Sequence, residues 1–171
     1  MKARGFFSSA MGGLILVVAM TLNVNAQYST AIGLRFGGTS GVDVKYFYQQ
    51  EKAFEGIIGT FGNGVSFTGL IEKYVPVYNA KGLYTYYGGG AHLAFYNGKD
   101  RDFSYFGRQS DYHRNNDVGL GINGIVGIEY HLPEGIPISF SLDLKPFIEF
   151  GTGGYVVVAP DPSFGVKFII K

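Results

Sequence analysis

ISFSLDLKPFIEF, residues 138–150, decides how this chain is read. Its even positions are Ile138, Phe140, Leu142, Leu144, Pro146, Ile148 and Phe150, all apolar. Its odd positions are Ser139, Ser141, Asp143, Lys145 and Glu149, with Phe147 the one exception. A β-strand sends successive side chains to opposite faces. A strand here therefore has one greasy face and one polar, charged face.

The same period recurs outward along the chain. Residues 28–36 set Ile32 and Leu34 against Ser29 and Arg35, and 41–49 set Val42, Val44, Tyr46 and Tyr48 against Asp43 and Lys45. Residues 53–61 set Phe54 and Ile58 against Glu55, and 65–75 set Val65, Phe67 and Ile71 against Ser66, Thr68 and Glu72. Residues 83–96 set Leu93 and Phe95 against His92, and 118–130 set Leu120, Ile122, Val126 and Ile128 against Asn123 and Glu129. Residues 163–171 set Phe164, Val166, Phe168 and Ile170 against Lys167. No helical period competes with this alternation. The expectation is an all-β domain over residues 27–171, without a linker.

Residues 1–26 read as a signal peptide. Lys2 and Arg4 open it, an uncharged run over 11–22 follows, and Val24, Asn25 and Ala26 put small residues before a cut at Gln27. That apolar run is too short for a membrane-spanning helix, which needs about 20 residues. The whole chain carries 14 basic and 13 acidic residues. Losing Lys2 and Arg4 leaves the mature part close to neutral, which argues against an electrostatic nucleic-acid binder. Charged residues make up 16% of the chain, and there are 27 Gly, 15 Phe, 13 Tyr and no Cys. The charge fraction is well below the roughly 25% usual in soluble domains. Without Cys there is no disulfide framework and no thiolate metal site.

The connections differ by end. Those over 50–52, 76–82 and 131–137 are short, as are 37–40 and 62–64. The long ones, 97–117 and 151–162, fall on the same end. Outer-membrane barrels have short periplasmic turns and longer external loops. Alternation alone does not say which face points inward, since a soluble barrel is greasy inside and a membrane barrel greasy outside. Three features favour the membrane. The polar face holds Gly33, Gly41, Gly59, Gly88, Gly90, Gly119, Gly121, Gly127 and Gly165, which make room in an interior just wide enough for side chains such as Arg35, Tyr84, Tyr86 and Tyr96. Aromatic residues cluster near strand ends of the apolar face: Tyr28, Tyr46, Tyr48, Phe54, Tyr130, Phe140 and Phe168 at one rim, and Phe36, Phe67, Phe95, Phe150 and Phe164 at the other. Amphipathic rings suit the two membrane interfaces. Finally, Lys73 alone puts a charge on the apolar face, near a periplasmic end where it can snorkel to water.

With YYGGGAHLAFY (86–96), GINGIVGIEYHLPEGIPISFSLDLKPFIEF (121–150) and FGVKFII (164–170), the chain resembles the small eight-stranded outer-membrane β-barrel proteins of Gram-negative bacteria, the OmpA/OmpX-like architecture. The resemblance is one of pattern over nearly the whole mature chain. It implies an eight-stranded antiparallel up-and-down transmembrane β-barrel, exported to the outer membrane as part of the cell envelope. Its surroundings would be outer-membrane lipid and lipopolysaccharide.

The polar face supplies the candidate interior: Arg35, Asp43, Lys45, Glu55, Glu72, His92, Glu129, Asp143, Lys145, Glu149 and Lys167. Charges sealed in so narrow a space are costly unless paired, so a structural charge network is expected in preference to a polar pathway. The short first connection suggests that Arg35 pairs with Asp43. His92 is expected inside beside Thr68 and Asn123, and His131 in a periplasmic turn. The 97–117 loop offers Arg101, Phe103, Tyr105, Arg108, Tyr112 and His113 as external binding candidates, Arg and Tyr being enriched at interaction hot spots. No metal-ligand spacing, cofactor motif or catalytic motif is present. The expected protein is a monomeric, non-enzymatic barrel with a filled polar lumen. It would serve envelope integrity or contact an unidentified surface ligand, with no cofactor and no nucleic acid. The alternatives are a lipid A-modifying outer-membrane enzyme and a secreted soluble β-barrel binding a small apolar ligand.

Overall fold

The computed structural model describes residues 30–61, 64–97, 117–133, 136–154 and 156–170. The leader at 1–26 and the loop candidates at Arg101, Phe103, Tyr105, Arg108, Tyr112 and His113 lie outside them. The strands are β1 (Thr30–Gly37), β2 (Ser40–Gln49), β3 (Lys52–Phe61), β4 (Gly64–Pro76), β5 (Leu83–Tyr96), β6 (Val118–His131), β7 (Ile138–Leu144), β8 (Phe147–Gly151), β9 (Val156–Ala159) and β10 (Pro162–Ile170). Each pairs antiparallel with its neighbours, and β10 pairs back onto β1, with Ile32 opposite Phe168 on one side and Val44 on the other. The segments β7 and β8 form one wall strand, and β9 and β10 another. The result is a closed eight-stranded antiparallel β-barrel without helices among the described residues.

The two interruptions have a covalent cause. Pro146 and Pro160 have no N–H to give to a ladder, and proline sits in sheets at edges and irregularities. The wall is stitched across the breaks instead, from Lys145 N to Asp161 O at 3.1 Å and from Gly124 N to Pro146 O at 2.9 Å. The connection expected over 151–162 is shorter than that: β9 already pairs with β8 over Val156–Ala159, before Pro160 and Asp161 interrupt the strand and β10 takes over at Pro162. A second departure is the irregularity between Phe47 and Gln49 in β2. Phe47 keeps the inward side of Asp43 and Lys45 and packs against Tyr74, with ring centres 4.8 Å apart, but the register then skips Tyr48, which is half-buried.

Elsewhere the alternation maps directly onto inside and outside. Leu142 is 57% exposed while its neighbours Ser141 and Asp143 are 2% and 5% exposed. The interior is packed in two layers. Ala53, Ile57, Leu70, Tyr74, Tyr86 and Ile125 cluster nearer the end that carries the termini. Phe61, Phe147 and Ala159 cluster nearer the other. Tyr46, Phe54, Tyr130, Phe140 and Phe168 are exposed near the terminal rim, and Phe36, Phe67, Phe95, Phe150 and Phe164 near the loop rim.

Candidate functional site: the charged lumen

Every sequence-predicted interior residue (Arg35, Asp43, Lys45, Glu55, Glu72, His92, Glu129, Asp143, Lys145, Glu149 and Lys167) is buried in the barrel. Their pairing follows reach across the sheet more than proximity in the chain. Arg35 does not pair with Asp43. It grips Asp143 through its two terminal guanidinium nitrogens, at 3.0 and 2.6 Å. The register explains this: Arg35 lies opposite Gly41 on one side and Gly165 on the other, and the long side chain passes over bare glycine toward β7. Asp43 lies opposite Gly33, and Lys167 flanks Gly33 on the far side. Lys167 reaches over that gap to Asp43 at 3.4 Å. A Cβ on Gly33 would fall 2.5 Å from Asp43 Oδ1 and 2.6 Å from Lys167 Cγ.

Lys45 is the centre of the layer nearest the termini. Its ammonium lies 2.8 Å from Glu72, 3.5 Å from Glu55 and 3.6 Å from Glu129, joining β2, β3, β4 and β6. It also donates to the Tyr74 hydroxyl at 2.5 Å and sits 4.4 Å from the centre of the Tyr86 ring. Tyr74 donates onward to Glu129 at 2.7 Å, and Ser139 donates to the same carboxylate at 2.8 Å. His131, expected in a turn, is instead the last residue of β6, and its Nε2 lies 3.0 Å from Glu129. Tyr86 donates to Asp143 at 2.9 Å, as does Ser163. A Cβ on Gly127 would fall 2.6 Å from Tyr86 Cζ, so this glycine too is set by crowding.

The layer nearer the loops is built differently. His92 stands opposite Thr68 in the β4–β5 register. Its Nδ1 lies 2.7 Å from Asn123 Oδ1 and its Nε2 2.9 Å from Glu149. Tyr96 donates to both oxygens of Glu149 at 2.8 Å. Lys145 pairs with Asp161 at 2.6 Å. Asp161 also accepts from the backbone N–H and the hydroxyl of Thr39, each at 2.7 Å. A cavity of about 10 Å³ remains between Ser66, Thr68, His92, Lys145 and Glu149, room for about one water.

Sequence reading missed Tyr74 and Asp161. Tyr74 was legible, because it shares the period-two face of Glu72. Asp161 was not, because it follows Pro160 in what read as a loop and has a left-handed φ of 38°. Among the described residues no group of three or more His, Asp or Glu could hold a metal ion. Comparison with protein-family models and with curated proteins finds no match for this chain.

Proposed function

We propose that this chain is an outer-membrane β-barrel, exported by residues 1–26, whose packed lumen makes it a closed element of the envelope and neither a pore nor an enzyme. One observation carries the reading: the polarity of the barrel is inverted. Aliphatic side chains such as Leu120 and Ile122 are 62% and 63% exposed on the outer wall, while ten or more acidic and basic side chains are buried inside. In water such a continuous apolar exterior is untenable, since soluble monomers rarely expose apolar patches beyond a few hundred Å². In a bilayer it is the favoured state, and aromatic rims at both ends suit the two interfaces. A soluble ligand carrier would need an apolar hollow, and this lumen is charged and filled.

The non-enzymatic part of the proposal rests on His92. Both its ring nitrogens are engaged, by Asn123 and Glu149, which leaves neither to activate Ser66 or Thr68 nearby. The closed part rests on the two packed layers. Outer-membrane lipid and lipopolysaccharide are then the wall's partners, and the 97–117 segment is the contact for any surface ligand.

Cell fractionation followed by planar-bilayer recording tests this. The expected result is recovery with detergent-extracted outer membranes, gel migration that changes on heating, and no large steady conductance. Recovery in the soluble periplasm would overturn the membrane assignment, and stable wide pores would overturn the closed lumen.

A further inference from the structure

The outer wall has one place where its pattern is broken twice along the same two strands. Lys52, expected in a connection with Lys73 as the single charge on the apolar face, is instead the first residue of β3; the two lysines lie directly opposite each other in the β3–β4 register, both exposed on the outer face near the terminal rim. Like charges directly opposite are destabilising. Among the described residues neither lysine has an ion-pair partner. Tyr87, opposite Lys73 on β5, is exposed beside them.

Further along the same strands, past Phe54 and Ile71, Gly56 faces Gly69. Here the wall is indented by an open apolar groove of about 430 Å³, bordered by Val42, Val44, Ile58 and Phe67. Packing does not demand these glycines. A Cβ on Gly56 would meet nothing within 4 Å, and one on Gly69 would make ordinary contact with Phe54 at 3.6 Å. They differ in this from Gly33 and Gly127, which the lumen forces. Four residues of strand, at about 3.3 Å each, separate the lysines from the groove by roughly 13 Å.

We propose that this strip binds one anionic phospholipid of the periplasmic leaflet, its phosphate between Lys52 and Lys73 and an acyl chain in the Gly56–Gly69 groove. The inference rests on the membrane reading above. Charge complementarity selects the headgroup: two uncompensated ammonium groups at headgroup level attract an anion. The groove selects a lipid over a free phosphate, because its lining is apolar apart from Thr68, which is buried. Each half accounts for a feature that the barrel's own packing leaves unexplained.

The test uses the whole folded barrel inserted into vesicles of phosphatidylcholine and phosphatidylglycerol, with retained lipid read by native mass spectrometry. Phosphatidylglycerol should be retained selectively. Lys52→Gln with Lys73→Gln should weaken retention roughly thirtyfold, at the usual contribution of basic residues near an anionic surface. Gly56→Leu and Gly69→Leu, separately, should weaken it with both lysines in place. Glycerophosphate, which has the phosphate but no chains, should not compete. Unchanged retention in the lysine variant or in both glycine variants would overturn the site, as would effective competition by glycerophosphate. Co-flotation separates the two levels. A wild-type barrel that does not float with vesicles sinks the membrane reading and the site together. One that floats but holds no phosphatidylglycerol sinks the site alone.

Discussion

Arg35 illustrates what a single side chain does in this lumen. It is 1% exposed, and its bidentate bond to Asp143 ties β1 to β7 across β10. Buried ion pairs seldom add net stability over well-packed apolar residues, but removing one partner strands the other charge at a cost of about 3–5 kcal/mol. Arg35→Met should therefore lower unfolding stability by about that much. Adding Asp143→Leu to it should recover most of the loss. Urea unfolding in detergent, run as a double-mutant cycle, reads both numbers; a single variant as stable as the parent would show that Asp143 is satisfied by Tyr86 and Ser163 alone. The network thus specifies which strands face each other more than it adds stability. The glycines work at the same scale: Gly33 and Gly127 are small because charged and aromatic neighbours occupy the space a Cβ would need.

At the scale of elements, the weak point is the pair of interrupted wall strands. Pro146 and Pro160 take ladder bonds out of adjacent strands, and β9 has only four residues, paired on one side with β8. Asp161 compensates by holding Lys145 in one strand and Thr39 in the β1–β2 turn. Its left-handed backbone is uncommon for a residue other than glycine, and persists because three bonds fix it. Asp161→Ala should release this clamp. Hydrogen exchange is expected to speed up in β9, at the start of β10 and in the β1–β2 turn, with β3 to β6 unchanged. Uniform exchange across the barrel, or no change in β9, would contradict a local clamp.

For the molecule as a whole, the question is which solvent the outer wall meets. Leu142 lies on the outer face midway along its wall strand, between Ser141 and Asp143, which turn inward. If the wall faces lipid, Leu142→Arg should destabilise the vesicle-inserted barrel by about 2–4 kcal/mol, the usual cost of a basic side chain near the bilayer midplane. If it faces water, the same change should be harmless and should improve solubility. Folding equilibria in vesicles, measured for parent and variant, discriminate the two. The phospholipid strip at Lys52, Lys73, Gly56 and Gly69 belongs to this scale as well, since it has meaning only against a membrane.

The strands and their facing were legible in the chain, because alternation is local: each residue's side is decided by its immediate neighbours. That Asp143 and Lys145 share one side and Leu142 takes the other follows from counting by two, and the glycines on the polar side point to which of the two is inward. Strand breaks were not legible, since proline at 146 and 160 reads equally as a loop or as an interruption until the neighbouring strand is present to carry the missing bonds. The partners inside the lumen were not legible either. Arg35 finds Asp143, and Lys45 gathers Glu55, Glu72 and Glu129, because barrel closure and register bring distant positions to one level, and glycines between them decide which side chains can cross. Alternation by itself determined which residues share a face; only closing the sheet decided which charges meet, because those distances are set by curvature and stagger, which no local pattern encodes.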